Sequence, residues 1–326
     1  MTLTQTQLNQ FQRDGFIIVD GVFDTKEVEA ALAEMEKIFY GKSFDAYLAE
    51  FDKTGVAEPV QPKTTGAVSH YGVTQYGRPQ FPTGIEALDQ LVENDDWLDM
   101  YAQCLGTENL SYCNGHLFLR SGPTDKRHAE YPWQGYHIDN ATNTFLPPHR
   151  ETDLYNYVNS CIYLHDVPAD CAPMQIIPGS HRQIMDLLPK LIHDGNWSGR
   201  GGIKDIRKVP EFADPVPTTG RAGSVRFNSS FGVHAAISFD NKRQQRGYST
   251  FSFCRADTSQ WIRLSNLWRE QEFSVPFWTE TTPRVRSLFG WPKPGHPYYT
   301  AETIELLAEW YPGMDLSPYG DQLSND

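Results

Sequence analysis

No run of the roughly 20 apolar residues needed to span a bilayer occurs in this chain of 326 residues. The stretch Met1 to Phe16 has no basic segment followed by an apolar one, so no secretion signal is expected. Basic residues are outnumbered, and an acidic chain repels a phosphate backbone. Lys and Arg number 28 against 41 Asp and Glu, the net charge is −13, and no basic stripe stands out. A nucleic-acid partner is therefore not expected. Cysteine is scarce, and Cys104, Cys113, Cys161, Cys171 and Cys254 form no C-x-x-C pair. That excludes a zinc knuckle and a disulfide framework, and a reducing cytoplasm is the expected compartment. The G-x-S-x-G elbow, the G-x-G-x-x-G turn and the P-loop are all missing. Hydrolase-elbow, dinucleotide and P-loop chemistries lose their usual supports. There is no internal repeat.

What is present is an ordinary globular balance, with 39% hydrophobic and 21% charged residues. The spacing predicts a short helix over Thr4 to Phe11 with Gly15 near its end, then a β-type run from Phe16 to Val19. Asp24-Thr25-Lys26-Glu27 reads as a capping box. It is followed by Val28, Ala31, Leu32, Met35, Ile38 and Phe39 on one helix face. Gly41 to Pro82 reads as a long excursion without periodicity. A second long helix is predicted from about Ile85 to Leu105, ending at Gly106. The middle of the chain changes character. Leu110–Leu119, Tyr157–Leu164, Met174–Ile177, Ser224–Asn228 and Tyr248–Phe253 are short and rich in aromatic and β-branched residues, with turn formers between them. That is the pattern of an antiparallel sandwich or barrel. A late helix is predicted over Ala301 to Trp310. Helices first, strands in the middle and an irregular tail describe one decorated, mainly β core with flanking helices.

The segment that points to chemistry is Gln134-Gly135-Tyr136-His137-Ile138-Asp139. On a strand, residues two apart share a face, so His137 and Asp139 would present an imidazole and a carboxylate side by side. These are two of the three ligands of a facial triad, which leaves positions open on a non-haem iron. Alone, the pair is weak, and an H-x-D by itself is more often a surface contact. Two later features agree with the metal reading. The run Ala222-Gly223-Ser224-Val225-Arg226-Phe227 leads through Asn228 to His234 at the far end of a predicted strand. Arg246 then precedes Gly247 and the strand Tyr248–Phe253. A guanidinium suits the remote carboxylate of a dicarboxylic cosubstrate.

On these residues the chain resembles the phytanoyl-CoA dioxygenase (PhyH-like) family of Fe(II)/2-oxoglutarate oxygenases. Carrying the likeness are Leu3 to Val19 with its Gln-Phe-x-x-Asp-Gly-Phe core, His137-Ile138-Asp139, and Cys161-Ile162-Tyr163-Leu164 followed by Ile177-Pro178-Gly179-Ser180-His181-Arg182. Gly223 to His234 and Arg246 complete it. The resemblance covers roughly residues 3–40 and 108–255. It implies a double-stranded β-helix, or cupin-like jelly roll, with helices packed on one side. It implies one domain over 1–326: a helical part to about 107, a jelly-roll core from about 108 to 255, and an extension from about 256.

The resemblance further implies that His137, Asp139 and His234 bind Fe(II), that Arg246 binds 2-oxoglutarate, and that Gln134 supplies a polar cosubstrate contact. O2 is the other cosubstrate. Hydroxylation of an unactivated C–H bond in a small natural product or amino-acid-like molecule would release succinate and CO2, with desaturation an alternative outcome. Asp139 fills the site that halogenating relatives leave to chloride, so halogenation is not expected. His181 would fix its loop. Relatives carry a hydroxyl two residues after the distal histidine, where this chain has Ala236; Ser238, Tyr248 or Ser249 could take its place. Arg243 is a rival to Arg246, but it lies in a polar loop. Ala172 replaces a glycine common before the Pro-Gly-Ser-His turn. Tyr136, Tyr163, Phe227 and Phe231 flank the ligand segments and are candidates to line the pocket, as is His116. Two other readings stay open at this point: a noncatalytic jelly roll that binds a ligand or metal, and an iron oxygenase that needs no 2-oxoglutarate.

Overall fold

The computed structural model describes residues 1–57, 81–125, 135–139, 157–198, 202–256, 277–288 and 291–320. The chain opens with helix α1 (Gln5–Asp14). Thr4 caps it in a reciprocal box with Gln7, and left-handed Gly15 closes it. Strand β1 (Phe16–Val19) follows. Helix α2 (Thr25–Tyr40) starts at Asp24, whose carboxylate accepts from the Lys26 amide. The apolar face read from the sequence is the buried one, with Val28, Ala31 and Met35 fully enclosed.

Two helical expectations need correction. The excursion after Gly41 contains helix α3 (Phe44–Thr54), capped by Ser43. Phe44, Tyr47, Leu48 and Phe51 stand three and four residues apart on its one apolar face, a short period masked by the polar, Gly- and Pro-containing sequence around it, and only Tyr47 is buried. The long helix from Ile85 to Leu105 is instead α4 (Glu86–Asp89), a 3-10 turn over Gln90–Glu93, and α5 (Asp95–Leu105). The break is chemical: the Asn94 side chain accepts from the Trp97 amide and starts a new helix.

Eleven strands among the described residues form two antiparallel sheets. Besides β1 they are β2 (Leu110–Ser121), β3 (Tyr136–His137), β4 (Tyr157–Tyr163), β5 (Met174–Ile176), β6 (Trp197–Ser198), β7 (Gly202–Ile203), β8 (Val216–Pro217), β9 (Val225–Ser229), β10 (His234–Ala236) and β11 (Gln245–Arg255). One sheet has the order β1-β9-β4-β11-β2, the other β6-β7-β3-β10-β5-β8. Helix α6 (Ser180–His193) lies between β5 and β6. Helices Pro283–Leu288, Ala301–Trp310 and Ser317–Gly320 follow β11.

The five-stranded sheet has two unlike faces because strand side chains alternate. Val158, Ile162, Val225, Phe227 and Phe251 point out and pack with Trp97 and Tyr101 of α5 in one buried cluster. Trp97 meets Phe251 edge-on at 5.1 Å, and the Tyr101 hydroxyl donates to the Phe251 carbonyl at 2.9 Å. Replacing Trp97 with alanine would cost about 3–5 kcal/mol. The residues one position along each strand point the other way, toward the second sheet, and those form the site.

Candidate active site

Each site residue is placed by strand register. His137 of β3 lies directly opposite His234 of β10. The sequence reading put His234 at the end of the strand begun at Val225. The structure instead ends β9 at Ser229, turns through a Gly232-to-Ser229 backbone bond, and starts β10 in the other sheet. That crossover is what brings His234 to His137. Asp139 lies just beyond β3, its amide donating to the Ser230 carbonyl in the same turn.

The three side chains converge. One ligand-capable atom from each of His137, Asp139 and His234 lies within 4.8 Å of the others. The Asp139 Oδ1 is 3.5 Å from Nε2 of His234 and 3.9 Å from Nε2 of His137. Both rings are held alike. Nδ1 of His137 is 2.8 Å from the Gly135 carbonyl, and Nδ1 of His234 is 2.8 Å from the Gly232 carbonyl. A carbonyl only accepts, so each Nδ1 carries the proton and each Nε2 keeps its lone pair for a metal. Asn159 Nδ2 donates to Asp139 Oδ2 at 2.5 Å, and Ser252 donates to Asn159 at 2.6 Å. Burial opposes charge on Asp139. The charge of the two imidazoles when they are protonated, His234 foremost, and that of Arg226 outweigh it and hold the carboxyl well below its usual range. Two imidazole nitrogens and one carboxylate oxygen on one side of a space form the donor set that suits a divalent iron with open positions.

The ligands border a cavity of about 290 Å³. Its opposite wall is the inner face of the five-stranded sheet, arranged in rungs. Asn114, Ser252 and Asn159 form one rung; His116, Thr250, Cys161 and Arg226 the next; Phe118, Tyr248 and Tyr163 the third; Arg120 and Arg246 the fourth. Arg246 is 2% exposed and lines the cavity. Its Nη1 donates to the Ala172 carbonyl, and its guanidinium lies over the Tyr248 ring at 4.9 Å. Arg243, the rival, is exposed and paired with Asp52. Ala172 has a φ of +50°, the conformation a glycine there would adopt freely.

Of the four flanking aromatics only Tyr163 lies on the inner face of the five-stranded sheet, and none of the four lines the cavity itself. Phe227 neighbours Arg226 and so points to the opposite face, against Tyr101 at 5.1 Å. Tyr136, next to His137, donates to Gln175 at 2.7 Å and shares a cluster with Phe231 and α6. Tyr163 donates to the Thr218 carbonyl and packs beside the cavity lining. Gln134 lies outside the described residues, as do 58–80 and 140–156. His116 and Tyr248 do line the cavity, whereas Ser238 and Ser249 do not. Sequence reasoning missed Asn159 and Arg226. Alternation gave a usable signal: Asn159 is two residues from Cys161, and Arg226 sits between the core residues Val225 and Phe227.

His165 is a hydrogen-bonded core group, accepting from the Gly247 amide at 3.0 Å. His181 likewise holds its loop: Nε2 donates to the Gln12 carbonyl at 3.1 Å.

The family model for phytanoyl-CoA dioxygenase (PhyH) matches residues 11–243 of the 326. The chain belongs to the phytanoyl-CoA dioxygenase family. It is a 2-oxoglutarate-dependent non-haem iron dioxygenase with Fe(II) as cofactor and 2-oxoglutarate and O2 as cosubstrates. Arg246 falls just past the matched span. Among curated proteins, the chain is similar to ectoine dioxygenases of Bordetella bronchiseptica and Bordetella parapertussis. Each is 23% identical over 257 residues, covering 72% of this chain and 71% of theirs. Among solved structures it is similar to HygX from Streptomyces hygroscopicus with nickel and 2-oxoglutarate bound (TM-score 0.52, 18% identity, 80% of this chain and 90% of that one). It is also similar to the epimerase SnoN in complex with Fe3+, alpha ketoglutarate and nogalamycin RO (TM-score 0.50, 19% identity, 77% and 83%). These likenesses show the jelly-roll fold.

Proposed function

We propose that His137, Asp139 and His234 hold one Fe(II), and that Arg246 receives the remote carboxylate of 2-oxoglutarate. One observation carries the reading: three ligand-capable atoms within 4.8 Å at one side of a cavity that also contains a buried arginine. Bound there, iron and the keto acid supply the oxidising chemistry, consuming O2 and releasing succinate and CO2. The chain's own residues position and exclude. The carbonyls of Gly135 and Gly232 fix the ring tautomers, and Asn159 steadies the carboxylate. The outer face of the sheet, sealed by α5, keeps water from the rear of the site.

The reaction is hydroxylation of an unactivated C–H bond in a small molecule, with desaturation as the runner-up. The cavity's size and its polar rung at the metal's level favour a compact, hydrogen-bonding compound, of natural-product or amino-acid-like type. The ectoine dioxygenases and a HygX structure with hygromycin B bound support a small-molecule substrate. Asp139 occupies the position a halide would need. All five cysteines are free, and among the described residues no helix is long and apolar enough to cross a membrane. Both agree with a cytoplasmic enzyme.

Succinate release with and without Fe(II), over a panel of metabolites, tests the reading. Iron-dependent release that is lost in His137→Ala supports it. Unchanged turnover in that variant would rule out the assigned site.

A further inference from the structure

We infer that Arg226 is a second arginine on the distal carboxylate of 2-oxoglutarate, serving where Ala236 offers no hydroxyl. The inference rests on the iron and keto-acid reading above.

The rungs place it. Asn159, which touches Asp139, lies on the first rung. Arg226 lies on the second, in register with Cys161, and Arg246 lies on the fourth. Arg226 therefore enters the cavity between the metal ligands and Arg246, along the path the keto acid must span. On the facing sheet Ala236 is in register with Met174, whose carbonyl accepts from the Thr218 amide. Arg226 Nη1 reaches across to Thr218 Oγ1 at 3.4 Å. The guanidinium thus arrives two strands from Ala236, on the same level.

No carboxylate of the described residues makes an ion pair with Arg226, and Asp139, whose charge it feels, lies beyond ion-pair distance. Arg226 is 2% exposed. It donates to Asn228 Oδ1 at 3.2 Å, to Thr218 Oγ1 and to Cys161 Sγ at 2.6 Å, all uncharged groups. Burial pushes the Cys161 thiol up, so it supplies no anion. No carboxylate of the described residues lies within ion-pair distance of Arg226 or Arg246. Nε of Arg246 and the hydroxyl of Tyr248, on the rung between the two arginines, are buried without a partner. Leaving a buried guanidinium uncompensated is costly. Two such groups and a hydroxyl beside one pocket make a receptor for an anion brought in from outside, and the guanidinium fork matches a carboxylate. The keto acid carries a carboxylate to that depth.

The test is anaerobic titration of the Fe(II) protein with 2-oxoglutarate and with 2-oxopentanoate, which has the same keto-acid head and no remote carboxylate. The visible metal-to-ligand charge-transfer band is the readout. Arg226→Met should weaken 2-oxoglutarate binding about tenfold to a hundredfold and leave 2-oxopentanoate within about threefold of wild type. Arg226→Lys keeps the charge and loses the fork, so it should fall between. It also serves if the methionine variant does not fold. Equal losses for both keto acids would mean a structural role and overturn the inference. Unchanged 2-oxoglutarate affinity would overturn it too. If Arg246→Met loses the preference for the dicarboxylate while both Arg226 variants keep it, this inference fails alone. If the wild type binds no 2-oxoglutarate, the reading of the whole site fails with it.

Discussion

The imidazole of His181 fills the space where a side chain on Gly15 would begin. A Cβ built there would lie 2.7 Å from His181 Cγ, on a backbone whose φ is +80°. The contact ties the start of the chain to the Pro-Gly-Ser-His turn. That turn in turn holds the approach to His234, because Ser180 Oγ accepts from the Val233 amide at 2.9 Å and the Gly179 amide donates to the Asp14 carbonyl at 3.0 Å. Gly15→Ala should therefore destabilise the protein by about 2–4 kcal/mol, combining left-handed strain with overpacking. Urea unfolding of the two proteins at pH 7.5 measures it.

The same histidine gives a pH dependence. Burial, above all, lowers its pKa from 6.5 to about 4. The folded state therefore binds this proton later than the unfolded chain does. Its contribution is complete above pH 6.5, is lost as pH falls from 6.5 toward 4, and levels off below that, a total of about 3 kcal/mol. His181→Gln should be less stable at pH 7.5 and should show a shallower loss between pH 7 and 4.5. Parallel slopes for wild type and variant would refute this.

Asn159→Ala removes the donor that steadies Asp139. Fe(II) affinity should fall about 10- to 100-fold while the fold persists. Calorimetric titration under anaerobic conditions reads the affinity, and circular dichroism reads the fold.

Ala172 pays for a left-handed backbone without glycine's freedom. Ala172→Gly should raise stability by about 0.5–1 kcal/mol, the relief of strain exceeding the extra entropy of the unfolded glycine. Thermal unfolding tests it, and a lower midpoint would count against the strain.

Fe(II) with 2-oxoglutarate should raise the unfolding midpoint of the wild type, because both bind only the folded state. His234→Ala should abolish that rise, and chelation should reverse it in the wild type.

Strand and helix positions were legible where one face is buried. Phe16–Val19, Tyr157–Tyr163 and Ala301–Trp310 follow their patterns to within a residue. The two-residue strands β6 and β7 are too short to alternate, and the apolar stripe of α3, Phe44, Tyr47, Leu48 and Phe51, is lost in the polar, Gly- and Pro-containing sequence around it. In the site, the i, i+2 spacing of His137 and Asp139 was readable. The pairing of His137 with His234 was not, because it depends on the chain changing sheets after Ser229. Arg226 was passed over because its run reads as a core strand, and the sequence does not say which face of that strand looks onto solvent, helices or iron. Tyr136 and Phe227 follow the same rule: a strand residue next to an inward-facing one points to the opposite side of its sheet.

Strand β11 pairs with β2 over Gln245–Arg255 and with β4 over Tyr248–Cys254. A slip of one residue would turn Arg246 out of the cavity and every neighbour with it. On the proposed assignment, the span between the iron ligands and Arg246 is thus a ruler cut into the backbone ladder, one that would measure the keto acid by length.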